Sequence, residues 1–452
     1  MVAVVPGDQL RRNIVRIARN IWHILGMFSS DSVEGLLKQQ ALVGESVFMK
    51  LPSIQENNRN AVFLLGALAG IGGSIVTIML AASSLWALAR LVFRTIPYRI
   101  ARSDMVFLGA ATAYFAANAL LSLARDPLAF TSPDLLPIGV FLAGWLMIPR
   151  LRMSESESLI DMLVLGAALC ALLVLPVAVW QALYLNIRAE GGAGNPLPFA
   201  LICCVFGLLS LVNTLHEKPW RKALGWAGFV GGVACLMLSQ SKGLLPVALS
   251  GFVAFLVIFP RVLRGCLTGR GLAAIGLALA VMVVSAVPFH ERLQSAFAYF
   301  TSSKAHDSDK GSYDAREALW RHAGTLIAEH PIAGHGVQNR RALVASAGFP
   351  YTHFHNGFLT SLVDTGAIGF LTLCALLAAP LVTALRAARG DWYRQRIFVG
   401  LVLFGTYAIG GMTNLIFWQD IYDSVFLWIA IIVSVSVPVS AANPLVIGRG
   451  QG

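Results

Sequence analysis

The chain has 452 residues, 57 % of them hydrophobic and 13 % charged, whereas a soluble domain carries about a quarter charged residues. No soluble core absorbs that much apolar sequence. The net charge of +11 is not a nucleic-acid footprint either, because Lys and Arg fall mostly in short connectors between apolar runs, where they report membrane orientation.

Residues 1–60 carry Arg11, Arg12, Arg16 and Arg19 on a weakly amphipathic stretch. No cleavable small-residue site follows a short apolar core there, so the segment is expected to be retained and cytoplasmic or interfacial. Apolar runs then follow at 61–93, 103–124, 134–149, 159–185, 196–215, 223–240, 243–260, 271–289, 355–385, 397–417 and 421–440. Most are long enough to cross a hydrocarbon layer about 30 Å thick as a helix. They lack the alternation of barrel strands, and a bilayer admits few other ways to satisfy the backbone.

The connectors alternate in charge. Arg90 to Arg102, Arg150 and Arg152, Lys218 to Lys222, Arg261 to Arg270 and Arg386 to Arg396 together hold sixteen basic residues, which places that set in the cytoplasm. The short connectors around Arg125, Arg188, Lys242 and 418–420 hold three and face outward with the long loop 290–354. A single helix over 61–93 would put the basic N-terminus outside, so this run is expected to split near Gly70, Gly72 and Gly73.

The resulting fold class is an all-α polytopic membrane protein of about twelve transmembrane helices with a large periplasmic helical loop. Its expected parts are an N-terminal segment 1–60, spans 1–9 in 61–289, a lid loop 290–354, spans 10–12 in 355–440 and a cytoplasmic tail 441–452. Cys170, Cys203, Cys204, Cys235 and Cys374 lie inside apolar runs and Cys266 in a basic connector. No pair is placed to staple an exported loop, so neither a disulfide nor a Cys metal site is expected.

Within the long loop, Tyr313 to His330 reads as an amphipathic helix with Leu319, Trp320, Ala323, Leu326 and Ile327 on one face and Pro331 ending it. Ser302 to Ser312 reads as a mobile polar stretch. His335, between Gly334 and Gly336, reads as a turn residue.

The outward face gathers Arg188, Lys242, Arg316, Arg321, His353 and His355 with almost no carboxylate, a setting for an anionic ligand. Lys242 sits in a five-residue polar break, Ser239-Gln240-Ser241-Lys242-Gly243, and on that ground alone a snorkelling lysine explains it as well as a ligand does. Arg188 precedes Gly191, Gly192 and Gly194, a turn whose amides can approach a phosphate. Arg316 lies four residues before Trp320 on the lid helix, which sets both on one side. His355 stands at the start of the next helix, where the partial positive charge favours a neutral imidazole able to accept a proton. His353 and His355 lack an obvious third ligand, so no metal is assigned. Asp364, nine residues on, is about 180° around a regular helix from His355 and reads as a packing acid.

These segments, with Arg316-Leu319-Trp320, His330-Pro331-Ile332-Ala333-Gly334-His335-Gly336 and His355-Asn356-Gly357-Phe358-Leu359 followed by Asp364, Gly366 and Gly369, resemble the O-antigen ligase and polymerase family of bacterial envelope enzymes. The resemblance extends over most of the chain and is nearest the ligase that joins O-antigen to lipid A–core oligosaccharide. It implies a membrane-embedded glycosyltransferase of the GT-C kind in the bacterial inner membrane, independent of metal and of any other cofactor. The implied donor is an undecaprenyl-diphosphate-linked O-antigen at the periplasmic face, with lipid A–core as acceptor and membrane lipids around it.

On that reading His355 is the general base of an inverting transfer. Arg188, Lys242 and Arg316 grip the diphosphate, and His353, Arg321 and Asn356 are candidates for further substrate contacts. Family members commonly carry arginine where Lys242 stands, so the charge is kept and the bidentate fork lost. O-antigen polymerases and protein O-oligosaccharyltransferases share the motifs. A transporter of lipid-linked glycan is the alternative of another class, disfavoured by the absence of a two-half repeat and by basic groups gathered on one face.

Overall fold

The computed structural model describes residues 53–266, 268, 276, 307–441 and 443–447; for Lys242, Cys266, 307–313 and Ile447 it describes the backbone alone. Almost all of the expected N-terminal segment, the run 271–289, the start of the lid loop and residues 448–452 lie outside this set.

The run 61–93 is two helices, α1 (Ile54–Leu68) and α2 (Ile75–Val92), separated at the glycines. Helix α1 starts seven residues before its apolar run because Asn58 is buried and fully engaged. Its amide donates to the Arg150 carbonyl and to Ser154 Oγ, both at 2.9 Å, and its Oδ1 accepts from Arg150 Nε at 2.9 Å. Hydropathy marks where a helix is apolar, and polar turns satisfied by a neighbour extend it unseen.

Next come α3 (Asp104–Arg125), a 3-10 stretch Leu136–Ala143 running into α4 (Gly144–Leu151), and α5 (Ser156–Val179), which ends in a π turn at Trp180–Tyr184. The composite Leu136–Leu151 reaches about 28 Å, because a 3-10 turn rises about 2.0 Å per residue. Helix α6 (Pro196–Ser210) is followed by α7 (Pro219–Leu238), a 3-10 turn Lys242–Leu244, α8 (Leu245–Ile258) and α9 (Pro260–Cys266). Asn195 caps α6 by accepting from Leu197 N at 2.9 Å.

After the undescribed stretch stand the lid helix α10 (Asp307–Glu329), α11 (Arg340–Ser346), α12 (Gly357–Arg386), α13 (Tyr393–Gly411) and α14 (Asp420–Val435). Helix α10 begins six residues before Tyr313, so much of the polar stretch expected to be mobile is helical.

Five of the described helical segments are long and apolar enough to cross a membrane: Ile75–Val92, Asp104–Arg125, Ser156–Tyr184, Pro196–Leu215 and Gly357–Arg386. The chain is a helical polytopic membrane protein. At its centre lie the segment Pro196–Leu215, made of α6 and the 3-10 turns after it, 94 % of whose apolar window is buried, and α14, buried at every position from Ile421 to Val435; helices apolar all round belong inside. Helix α2 is peripheral and exposes Ile78, Leu85, Leu88 and Val92, with Phe93 exposed just past its end.

Close helix contacts use small residues, as membrane packing demands. A Cβ on Gly66 would lie 2.9 Å from Gly166 Cα, and one on Gly166 would lie 2.4 Å from the Phe63 carbonyl oxygen, so α1 and α5 touch backbone to backbone. At the arginine-rich end, Ile100–Ala101 pairs antiparallel with Leu445–Ile447. There Arg152 joins Asp104 at 2.6 Å and donates to the carbonyls of Ser434, Val435 and Val437, closing the C-terminus of α14.

Candidate active site

The connections at the other end of the bundle hold one another by backbone. Gly192 N donates to the Gly70 carbonyl at 3.2 Å and Ala189 N to that of Leu238 at 3.0 Å. Arg188 donates from Nε to the Ser239 carbonyl at 3.0 Å and from Nη2 to Ser241 Oγ at 3.4 Å. Its guanidinium is thereby tied to the polar break that delivers Lys242. Lys242 opens its 3-10 turn, and its side chain lies outside the described set. The next residue, Gly243, abuts Thr413, to whose Oγ1 a Cβ would approach within 2.8 Å. Thr413 belongs to the loop 412–419, which also meets the start of α12, where a Cβ on Gly357 would lie 2.7 Å from Ile416 N.

His355 sits two residues before α12, half-buried, with φ +50. The left-handed conformation is uncommon for a side-chain-bearing residue and is held by its surroundings. Asn356 is the N-cap: its Oδ1 accepts from Phe358 N and Leu359 N at 3.0 and 3.1 Å. The His355 ring stands edge-on to those of Tyr351 and His353, with centroids at 4.6 and 4.5 Å.

The lid helix docks on this segment. Trp320 Nε1 donates to the Phe354 carbonyl at 3.0 Å, and Phe354 is buried in a small core with Leu319, Ala323, Leu326, Val344 and Val363. Arg316, one turn before Trp320 and half-buried, comes close enough to His355 to act on it electrostatically. Burial first, and the Arg316 charge second, hold the His355 imidazole below its ordinary pKa, so it is neutral at pH 7. Burial, then His355 and Arg340, push His353 down to about 3, with Asn414 as its polar neighbour. Arg321 instead points to solvent and pairs with Glu317 at 2.5 Å along the same helix. No group of three or more His, Cys, Asp or Glu able to hold a metal gathers among the described residues.

Helix α12 breaks at Gly366 (φ 61, ψ −160), a conformation essentially restricted to glycine. The segment 331–336 fills the break. Ala367 N and Ile368 N donate to the carbonyls of Pro331 and Ile332, while His335 N and Gly336 N donate to those of Val363 and Asp364. The side chain of Asp364, just before the break, takes Arg340 Nε at 2.9 and 3.1 Å and a further bond from Arg340 Nη2. Arg340 also lies over the Trp418 ring, 5.1 Å from its centroid, and so links lid, broken helix and loop 412–419.

Residues 227–374 match the family model described as O-antigen ligase. Over that third of the chain the protein is similar to the O-antigen ligase family. The family segment runs from α7 through the Lys242 turn and the lid into α12; it contains Lys242, Arg316, Arg321, His353, His355 and Asn356 and leaves Arg188 outside. A protein of Haemophilus influenzae described as uncharacterized is 25 % identical over 224 residues, 45 % of this chain, and the chain covers 55 % of that protein's length.

The structure thus brings Arg316, His353 and His355 together and ties Arg188, which lies outside the matched segment, to the Lys242 turn. It gives Asn356 a capping bond and Arg321 an exposed ion pair. Sequence reasoning missed Arg340 and loop 412–419. The only available signal for Arg340 was a basic residue four positions past a Gly-His-Gly turn with a membrane carboxylate unassigned, since intramembrane acids are seldom left alone.

Proposed function

We propose that this chain is an O-antigen ligase: an inverting, metal-independent glycosyltransferase of the GT-C kind. It has about twelve spans in the inner membrane and a periplasmic active site. It moves the glycan of an undecaprenyl-diphosphate-linked O-antigen onto a sugar of lipid A–core oligosaccharide. The observation that carries the reading is the placement of His355, fixed at the head of α12 beside Arg316 inside the segment that matches the O-antigen ligase model.

The acceptor hydroxyl needs a base as it attacks the anomeric carbon, and the His355 imidazole takes that proton. The glycosyl–oxygen bond to the lipid diphosphate breaks as the new bond forms, so the configuration inverts. The departing diphosphate carries off the electron pair, and the cations Arg188, Lys242 and Arg316 stabilise that charge. The pKa depression has two sides: it keeps His355 unprotonated and makes it a weaker base, which suits a reaction with a good leaving group. His353 and Asn356 then shape the acceptor side, and Arg321 meets substrate at the lid's outer rim.

His355→Ala should abolish transfer, by at least about 10²-fold, the lower range for a general base, while the lipid-linked donor still binds. Unchanged transfer would sink the proposal. In cells, loss of the gene should remove O-antigen ladders from lipopolysaccharide while lipid-linked polymer accumulates. Core carrying a single repeat would instead identify a polymerase.

A further inference from the structure

At the arginine-rich end, Trp86 and Arg90 lie on the last turns of α2 and Arg150 at the end of α4. Both guanidinium groups sit over the Trp86 ring, Arg150 at 4.4 Å and Arg90 at 5.2 Å from its centroid. Arg150 is only 3 % exposed, and its hydrogen bonds all go to neutral oxygens, Asn58 Oδ1 at 2.9 Å and the Ser83 carbonyl at 3.3 Å. Arg90 is half-buried, and its Nε is sealed from solvent without a hydrogen-bond partner.

Elsewhere at this end, arginines as deeply buried hold carboxylates, Arg152 with Asp104 at 2.6 Å and Arg221 with Asp161 at 2.5 Å. Arg396, the other buried arginine here, closes a helix end by donating to the carbonyls of Ser436 and Asp391. Two cations gathered on one ring with no carboxylate among the described residues are costly to bury. An anion that reaches them would offset that cost. The surface around them is built for lipid: Leu85, Leu88 and Val92 on the same helix, and Phe93 just past its end, are exposed, and a tryptophan at such a level is an interfacial residue.

We propose that Arg90 and Arg150, gathered on Trp86, bind the phosphodiester of an anionic phospholipid whose acyl chains lie along the outer face of α2. A guanidinium fork matches two phosphate oxygens, and the cation–π contacts with Trp86 hold both forks in place before the lipid arrives. Basic pockets between helices on the cytoplasmic side bind phospholipid head groups in this way. The site is distant from His355 along the bundle, and its occupancy is independent of glycan transfer.

The test is binding of phosphatidylglycerol to the full-length protein in detergent, counted by native mass spectrometry, against phosphatidylcholine and inorganic phosphate. Wild-type protein should retain phosphatidylglycerol over phosphatidylcholine. Arg90→Gln, at a half-buried position that leaves the Arg150 contacts intact, should bind it about tenfold more weakly, the equivalent of one charge-assisted hydrogen bond. Arg90→Lys should recover part of the loss. Equal retention of phosphatidylcholine, or unchanged affinity in Arg90→Gln, overturns the proposal. Displacement of the lipid by inorganic phosphate at comparable concentration would mark a free-anion site and overturn the lipid assignment. Transfer by Arg90→Gln serves as the control for folding and should match wild type.

Discussion

Arg340 commits its guanidinium to one carboxylate inside the protein, and Asp364 has no other charged hydrogen-bond partner among the described residues. Removing one member leaves the other buried and unpaired, at a cost of about 3–5 kcal/mol. Arg340→Ala and Asp364→Ala should each lower the thermal midpoint in detergent sharply, and the double variant Arg340→Met/Asp364→Leu should recover much of the loss, because an apolar pair of similar volume carries no orphaned charge. A wild-type midpoint for Arg340→Ala would show that the pair contributes nothing. His353 makes a prediction of opposite chemistry. Buried and set beside His355 and Arg340, it stays neutral down to about 3, whereas in the unfolded chain it titrates at about 6.5. Between those values the unfolded state binds a proton that the folded state refuses, so stability present above about pH 6.5 is lost as the pH falls toward about 3. Chemical-denaturation midpoints followed from pH 7 to pH 4 should fall, and His353→Gln, which cannot titrate, should flatten that decline.

At the scale of elements, the lid and the broken helix α12 form one device. The segment 331–336 supplies four backbone hydrogen bonds to a helix that cannot supply its own at Gly366, so lid position and the head of α12 are set together. A Cβ on Gly366 would lie 2.3 Å from the Ile332 carbonyl carbon. Gly366→Ala should therefore expel the segment, and hydrogen exchange at Ala367 and Ile368 should rise by orders of magnitude with transfer lost; retained protection there would refute the coupling. Trp320→Phe keeps the ring but drops the bond to the Phe354 carbonyl and should reduce kcat more than the thermal midpoint, because it loosens Arg316 and His355 and leaves the core packed. The amphipathic lid helix was legible, since a 3.6-residue period of Leu319, Ala323 and Leu326 survives in any context, and so was the split of 61–93. The break in α12 was not. The run 355–385 is mostly apolar and holds several glycines, glycine is common in membrane helices, and nothing local says which glycine turns left-handed. That choice belongs to residues 331–336, some thirty positions away in sequence.

For the whole molecule, legibility follows the same division between local and distant causes. Membrane residence and helicity rest on composition and run length, and these are properties of each segment by itself. The candidate site was half-legible: His355 and Arg316 announce themselves by type and neighbourhood, whereas Arg340, Trp418 and Asn414 matter only because loop 412–419 folds back on the lid. The distribution of arginines separates two ends of the bundle, one holding Arg90, Arg150, Arg152 and Arg396, the other holding Arg188, Arg316 and His355. If the positive-inside rule governs this chain, the second end faces the periplasm. Single cysteines introduced in a cysteine-free background at exposed positions of each end, Arg321→Cys on the lid and Arg389→Cys between α12 and α13, should decide it. In intact spheroplasts a membrane-impermeant maleimide should label the first within minutes and the second only after the membrane is opened. The reverse pattern would place His355 in the cytoplasm, out of reach of a periplasmic acceptor, and would end the ligase reading irrespective of what any substitution at His355 does.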